Sequence, residues 1–576
     1  MTLQTSPASG PPSDGRLRRD VRVVGLLFTS IGAMVGSGWL FGAQSAANTA
    51  GPAAIVSWVI GGFMIMLIAL VYAELGTMFP VSGGVVRFPH FAFGSFVSYG
   101  FGWILWITCG SAAAIEVEAA MQYSAVRFGF LMHVVDGVPV LTFPVGFIVA
   151  VILLGILCVL NMLGIKWYAR ANNVLVWWKL AVIVLVIVAL PVTAFHIGNF
   201  HEIIGHDGRG GFAPFGVGGV LTAVATSGIV FSYLGFRQGI DLAGETDNPR
   251  RNIPIAVVGS VLIIGTLYAL LQIVFIGSLT PSALAQGWGH ILLSNGANSA
   301  FGPLAALATI LGLNWLAVVL YIDAVISPGD SGLIFATATS RVTYAMARNK
   351  NAPAQLARLN ARGAPWISLL LTFVVGVIFF LPFPGWQSLV GFVTGATVLS
   401  LGSGALALAA FRRGLPEYPR AFKLRGGDLI PFLAFYSSNL ITLWTGWPTN
   451  WKLFIAVLIG YAIFAVTQPF IERGPKLNLK SSAWFIPWLA GLTVISYFSD
   501  FPDTQTDAGN TGQIGLNWGF IVILMWTTVI YIWAVRSRLP AEKMKQMIES
   551  GFVGEEDSME HIHDAAEDEG KSRPRI

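Results

Sequence analysis

Ile31-Gly32-Ala33-Met34-Val35-Gly36-Ser37-Gly38 lies in the middle of the first long apolar stretch of the chain, residues 23 to 48. Glycine lowers the cost of leaving helical geometry, and backbone unwound at membrane depth must line a cavity or lie buried in protein. The sixth apolar stretch, 217 to 236, carries a second candidate break, Ser227-Gly228 followed by Phe231-Ser232-Tyr233-Leu234-Gly235-Phe236. Taken singly, such glycines also serve close helix packing. Their occurrence in stretches one and six, the first of each set of five, favours paired broken helices instead. That pattern implies inverted five-span repeats around a site near the membrane midplane.

The remainder of the chain fits this frame. Of its 576 residues 55% are hydrophobic and only 11% charged, whereas soluble domains run near ~25% charged, which excludes a water-soluble enzyme. A crossing needs ~20 apolar residues, and fourteen stretches qualify. The stretch 301 to 345 is too long for one crossing and reads as a surface or re-entrant piece followed by a span from about 316. The expected fold is an all-α polytopic membrane protein, with ten core spans over 21–411 and four accessory spans over 412–536. Cys109 and Cys158 lie in apolar runs and form no disulfide framework; no histidine lies in such a run and no phosphate-binding loop motif occurs, so zinc and ATP hydrolysis lose their residues.

Loop charge gives the orientation. Of the 34 Lys and Arg, only Arg127, Arg209 and Lys452 fall opposite the termini, and Lys179 and Arg237 fall within spans. Both termini are therefore expected in the cytoplasm, in a multi-pass cell-membrane protein. Residues 1–20, with Arg16, Arg18 and Arg19, read as a disordered tail without a cleavage site. Residues 537–576 read as a second cytoplasmic tail, with the acidic runs Glu555-Glu556-Asp557 and Glu567-Asp568-Glu569; His561 and His563 in it read as solvated.

Four motifs in order carry a family resemblance. They are Ile31 to Gly38; Tyr72-Ala73-Glu74-Leu75-Gly76 with Phe79-Pro80-Val81-Ser82-Gly83-Gly84; Phe231 to Phe236 with Gly244-Glu245 and Asn248 to Pro254; and Ser340 to Arg348 with Pro353. Together they resemble the amino acid/polyamine/organocation superfamily of permeases, with a looser resemblance to bacterial aspartate/proton symporters. The resemblance implies a LeuT-like fold that binds an amino acid between broken spans 1 and 6. It places a substrate carboxylate on Gly36, Ser37 and Gly38, carbonyls near Ala33, Phe231 and Ser232 toward the ammonium, Phe231 as an aromatic lid, and Tyr233 beside it. Unpaired amides and carbonyls at helix breaks suit those charges on physical grounds as well.

Each ionisable residue in a span costs at least ~2.5 kcal/mol unless paired or hydrated. Glu74 reads as a structural partner of an arginine. Glu116 and Glu118 point to different faces of their helix, so at most one reaches the central cavity. Asp323 and Asp330, seven apart, share a face that suits a wet vestibule or cation path, or else Pro328-Gly329 bends the helix there. Lys179 matches the fifth-span lysine that replaces sodium in proton-coupled members of the superfamily. With Glu116 and Asp330 it forms the expected proton-coupling set. Arg237, where the family often has an acidic or small residue, disfavours a cationic substrate and favours aspartate or glutamate; permanent pairing with Glu116, Glu118 or Asp241 is the alternative. The expected function is proton-coupled symport of an acidic amino acid, with protons and the lipid bilayer as partners, no cofactor, no metal and no nucleic acid. A neutral amino acid permease or an exchanger of the same fold is the second reading; a membrane enzyme, a channel or a transport-inactive sensor is more remote.

Overall fold

The computed structural model describes residues 21–135, 138–162, 165–202, 210–292, 300–358, 360, 364–381, 385–471, 477–500 and 512–552. The N-terminal tail, Arg209 and the acidic and histidine residues beyond 552 lie outside them.

Among the described residues, ten helices are long and apolar enough to cross a membrane, and a helix pair bent by 44° makes an eleventh. One of these, Gly38–Met78, has 41 residues. At 1.5 Å per residue that is roughly twice the thickness of the hydrocarbon core, so the chain must reverse within it. It does so at Gly51–Ala53. Gln272 ties the two arms at one level, accepting from Trp58 Nε1 at 2.8 Å and donating to the Ala43 carbonyl at 3.1 Å.

Counted as crossings, span 1 is Val23–Met34 with Gly38–Ala50, span 2 Ala54–Met78, span 3 Ser95–Ala125, span 4 Val145–Met162 and span 5 Ile165–Thr193. Span 6 is Gly216–Thr226 with Ile229–Asp241, span 7 Pro249–Ser278, span 8 Asn314–Arg348, span 9 Trp366–Phe379 and span 10 Trp386–Gly414. Leu429–Trp444, Trp447–Thr467, Phe485–Phe498 and Leu516–Arg536 are spans 11 to 14. The long apolar stretch ahead of span 8 divides as its length requires, into a short helix Pro303–Ile310 and the crossing itself.

Spans 1, 2 and 3 each pack on the span five later, 6, 7 and 8, as related halves of an inverted repeat do. Spans 11 to 14 lie to one side, against spans 2, 3 and 10 and the first half of span 6. Their seam is aromatic and hydrogen-bonded: Phe101 of span 3 meets Phe485 and Trp488, and Trp488 Nε1 donates to Asn439 Oδ1 at 3.0 Å. One departure from an all-helical chain is a small antiparallel hairpin, Met132–Val135 with Val138–Leu141, between spans 3 and 4.

Both ends meet the same face. Val21 bridges Thr246 after span 6, and Leu539 N donates to the Ala92 carbonyl, in the short helix Gly84–Phe93 after span 2, at 3.0 Å. We call this the terminal face. Glu74, at that end of span 2, is fully buried and bonded by Arg412 Nε at 3.1 Å and Nη2 at 2.5 Å and by the Leu424 amide at 2.9 Å. Glu245 pairs with Arg341 at 2.8 Å nearby, closing span 8 onto the loop after span 6.

Candidate functional site

A helix that stops leaves its last carbonyls without amide partners, and one that starts leaves its first amides open. The first half of span 1 ends at Met34, and Val35 to Ser37 carry the chain to a new helix at Gly38. Side chains take most of the released carbonyls. Gly32 O accepts from Lys179 Nζ at 2.9 Å and from Ser331 Oγ at 2.8 Å; Met34 O accepts from Tyr268 Oη at 2.8 Å, and Val35 O from Ser331 Oγ at 3.2 Å. The Ala33 carbonyl and the amides of Gly36 and Gly38 make no hydrogen bond among the described residues. A zwitterionic headgroup needs this pair of features, one acceptor for its ammonium and amides for its carboxylate.

The third amide of the set is occupied. Ser37 N donates to Glu116 Oε2 at 2.7 Å, so one carboxylate of the protein rests where a substrate carboxylate is expected. Glu116 therefore reaches the centre from span 3. Glu118 does not: it is fully buried elsewhere, and neither of its carboxyl oxygens has a hydrogen-bond partner among the described residues.

In span 6 the break falls at Ser227–Gly228, with Gly228 at φ +84°, a conformation that favours glycine. Phe231, Ser232 and Tyr233 lie after it, in helix again. Ser232 bonds back to the Gly228 carbonyl through its amide (3.0 Å) and hydroxyl (2.7 Å), and the Phe231 carbonyl accepts from the Leu234 amide. The expectation of an open carbonyl at Phe231 is thus corrected: the helix resumes too early, and it is the turn ending at Thr226 that runs out of helical amide partners. Phe231 does line the centre, its ring edge-on to Trp386 at 6.5 Å, while Trp386 Nε1 donates to Ser37 Oγ at 2.8 Å. Tyr233 does not join this group. Its hydroxyl donates to the Trp58 carbonyl at 3.1 Å, and its ring packs on Trp58 and Tyr268, toward spans 2 and 7.

Lys179 is completely enclosed. Besides Gly32 O it reaches Ser331 Oγ at 3.2 Å and Asp330 Oδ2 at 2.7 Å, so a single ammonium links span 5 to spans 1 and 8. Asp323, above it on span 8, accepts from Trp178 Nε1 at 2.9 Å and Ser327 Oγ at 2.8 Å. Arg237 lies toward the terminal face. Its Nη2 donates to Cys109 Sγ at 2.9 Å, its Nη1 lies 3.4 Å from Asp241 Oδ2, and its Nε has no partner among the described residues. Of the three carboxylates considered for it, Asp241 alone is in contact. Cys109 precedes Glu116 on span 3 by two helical turns, so the guanidinium sits about 10 Å from the level of the Glu116 contact.

The chain matches the amino acid permease family over residues 22–499. It belongs to that family. The glutamate/serine transporter AimA of Bacillus subtilis (strain 168) is 36% identical over 535 residues, 92% of this chain and 96% of that protein. The aspartate-proton symporter of the same organism is 33% identical over 530 residues, covering 91% and 98%. A branched-chain amino acid permease, BcaP, also from that strain, is 27% identical over 474 residues, covering 80% and 95%. This permease is thus a multi-pass membrane transporter of amino acids. Sequence reasoning missed three of its central residues, Trp386, Tyr268 and Ser331. Ser331 carried a usable signal, since it continues the polar face begun at Asp323; Tyr268 lies inside an apolar stretch and Trp386 in the short Pro-Gly-Trp-Gln segment between two of them, where nothing marks either.

Proposed function

We propose that this permease imports an acidic amino acid, aspartate or glutamate, together with protons, with Lys179 as the fixed coupling cation. The observation that carries the reading is the position of Lys179 Nζ, bonded to the Gly32 carbonyl in the break of span 1 and ion-paired with Asp330 of span 8. A protonated Lys179 fills the role of a bound metal cation between those spans. As a neutral amine it loses the ion pair with Asp330 and holds the Gly32 carbonyl only by an uncharged hydrogen bond, which loosens the spans. The pairing of an aspartate-proton symporter and a glutamate/serine transporter among its relatives agrees with this class of substrate.

Substrate then binds in two parts. Its α-carboxylate takes the amides of Gly36, Ser37 and Gly38, and its ammonium faces Ala33. Glu116 must leave the Ser37 amide for this, which protonation of Glu116 favours, because a neutral carboxyl competes weakly with a carboxylate for an N–H donor. The side-chain carboxylate extends toward Arg237, whose guanidinium has, among the described residues, one carboxylate contact, and a long one. Phe231 and Trp386 cover the site. Residues 21–411 form the transport core in this reading, spans 11 to 14 brace it, and the terminal face is cytoplasmic.

The existing Arg237–Asp241 contact favours a second reading, in which Arg237 never meets substrate and a neutral amino acid is carried. A competition panel against radiolabelled amino acid in proteoliposomes, with and without a proton gradient, separates the two. Excess aspartate and glutamate are expected to compete, and Lys179→Ala is expected to keep exchange while losing pH-driven accumulation. Alanine or leucine uptake that aspartate and glutamate do not inhibit contradicts the acidic substrate. An absolute sodium requirement contradicts the coupling.

A further inference from the structure

The last described helix, Ala541–Phe552, lies on the terminal face, joined to span 14 by residues 537–540. It is amphipathic: Met544 and Ile548, one turn apart, are buried, while Glu542, Lys543, Lys545, Gln546, Glu549 and Ser550 face solvent. Its dock has two walls. One is the helix Gly84–Phe93, which meets it at both ends. Leu539 N, just ahead of the tail helix, donates to the Ala92 carbonyl at 3.0 Å, and Arg87 Nη2 donates to the Gly551 carbonyl near its end. Arg87 is itself buried, its guanidinium 5.7 Å from the Phe91 ring centre, and a cation at the C-terminal end of a helix offsets the charge of the unpaired carbonyls there. The other wall is the end of span 10. A Cβ on Gly414 would lie 2.8 Å from Met544 Sδ, so the methionine packs on bare backbone.

The first wall reaches the seal of the terminal side. Helix Gly84–Phe93 starts directly from a turn, residues 81–83, that is wedged between spans 6 and 8. Toward span 6, Gly83 N and Ser82 Oγ donate to the Asp241 carbonyl at 3.1 and 3.3 Å. Toward span 8, a Cβ on Gly83 would lie 2.9 Å from the Arg341 carbonyl oxygen and 2.6 Å from the Ala345 Cβ. Gly83 has φ +66°, so the wedge is made by a glycine in the left-handed conformation. The Glu245–Arg341 pair crosses the same seam. An inverted-repeat transporter works by rocking one bundle against the other around its site, and the end of span 6 cannot leave span 8 here unless this turn moves. The helix Gly84–Phe93 is continuous with the turn and moves with it.

We propose that the helix Ala541–Phe552 is an autoinhibitory clamp: docked, it holds the terminal side closed, and undocked, it lets spans 6 and 8 part more readily. Movement of the turn carries the helix Gly84–Phe93 relative to the end of span 10, and the tail helix, seated on both, resists that movement. The seat suits a reversible contact, since it consists of two buried side chains and one capped helix end, and the short joining segment keeps the helix close to its seat when it lifts off. The clamp acts on the populations of closed and open conformers and not on the binding site. It depends neither on the class of substrate nor on Lys179.

The test uses the full-length chain carrying Cys158→Ala, which leaves Cys109 as the one thiol. Cys109 is fully buried against Arg237, on the terminal side of the site, so a reagent reaches it when the end of span 6 swings away. Its labelling by a small water-soluble maleimide is followed in nanodiscs. Exchange is followed in proteoliposomes with the labelled amino acid that the parent exchanges fastest among aspartate, glutamate and serine. Both are measured for the parent, for Met544→Asp combined with Ile548→Asp, for Ile548→Ala, and for Gln546→Asp on the solvent face as a control. The double variant is expected to label at least about threefold faster, as a shift in a minor open population allows, and to exchange at or above the parent rate. Ile548→Ala is expected to shift labelling in the same direction by less, and Gln546→Asp to match the parent. Labelling of the double variant at the parent rate overturns the clamp, as does equal acceleration by Gln546→Asp. Faster labelling with loss of exchange also overturns it, because that outcome marks a helix that braces the core instead of restraining it.

Discussion

In the proposed reading, Arg237 is the residue on which substrate class turns. Its guanidinium is buried between Cys109 and Asp241 with one nitrogen unpartnered among the described residues, so it has capacity for a carboxylate but must partly give up Asp241 to use it. Charge-assisted contacts contribute roughly 1.5 to 3 kcal/mol, or about tenfold to a hundredfold in affinity. Arg237→Ala is therefore expected to weaken aspartate or glutamate uptake by that range and to leave uptake of a neutral amino acid nearly unchanged. Equal losses for both contradict a substrate contact. How legible such residues were depended on chemistry that repays its burial cost. Glu74 announced a partner because a buried carboxylate requires one, and Arg412 supplies it. Which arginine it was could not be read, because the two are far apart in the chain. The contact of Glu116 with the Ser37 amide was equally hidden, since a backbone donor leaves no mark in the sequence.

At the scale of elements, the two breaks are pressed together. A Cβ on Gly235 would lie 2.6 Å from the carbonyl carbon of Ala33 and closer still to the Met34 nitrogen, and neither is a side chain that can turn aside. Span 6 thus reaches the broken part of span 1 with bare backbone. Gly235→Ala must push the two apart, at a cost of about 1 to 3 kcal/mol for forced overpacking, and it displaces the Ala33 carbonyl, which faces the substrate ammonium in the proposed reading. The expected outcome is a lowered thermal midpoint together with loss of exchange, read by thermal shift and by counterflow. Wild-type exchange in this variant contradicts the close approach. The glycine motifs made both broken spans legible, and Ser227-Gly228 marked the second break, where the left-handed conformation occurs. What they did not show is that the helix resumes at Ile229, so that Phe231 and Ser232 lie in helix and Gly235 serves packing.

For the whole molecule, hydrophobic length and the spacing of the two glycine-rich spans were enough for the fold, because the bilayer allows few ways to bury a backbone. Ten core spans and four more were readable as crossings, and so was the doubling of the stretch before span 8. The packing of spans 11 to 14 against spans 2, 3 and 10 was not, since uniformly apolar helices carry no directional signal; only scattered groups such as Asn439 and Trp488 fix their seam. The same limit applies to coupling, which is a property of the whole transport cycle. The most direct measurement of it is made on proteoliposomes loaded with a pH-sensitive dye, without sodium and with the membrane potential clamped at zero. Adding aspartate or glutamate outside is predicted to acidify the lumen in step with uptake of the labelled amino acid. Uptake of aspartate or glutamate with no change in internal pH, or uptake that begins only when sodium is supplied, would contradict proton symport.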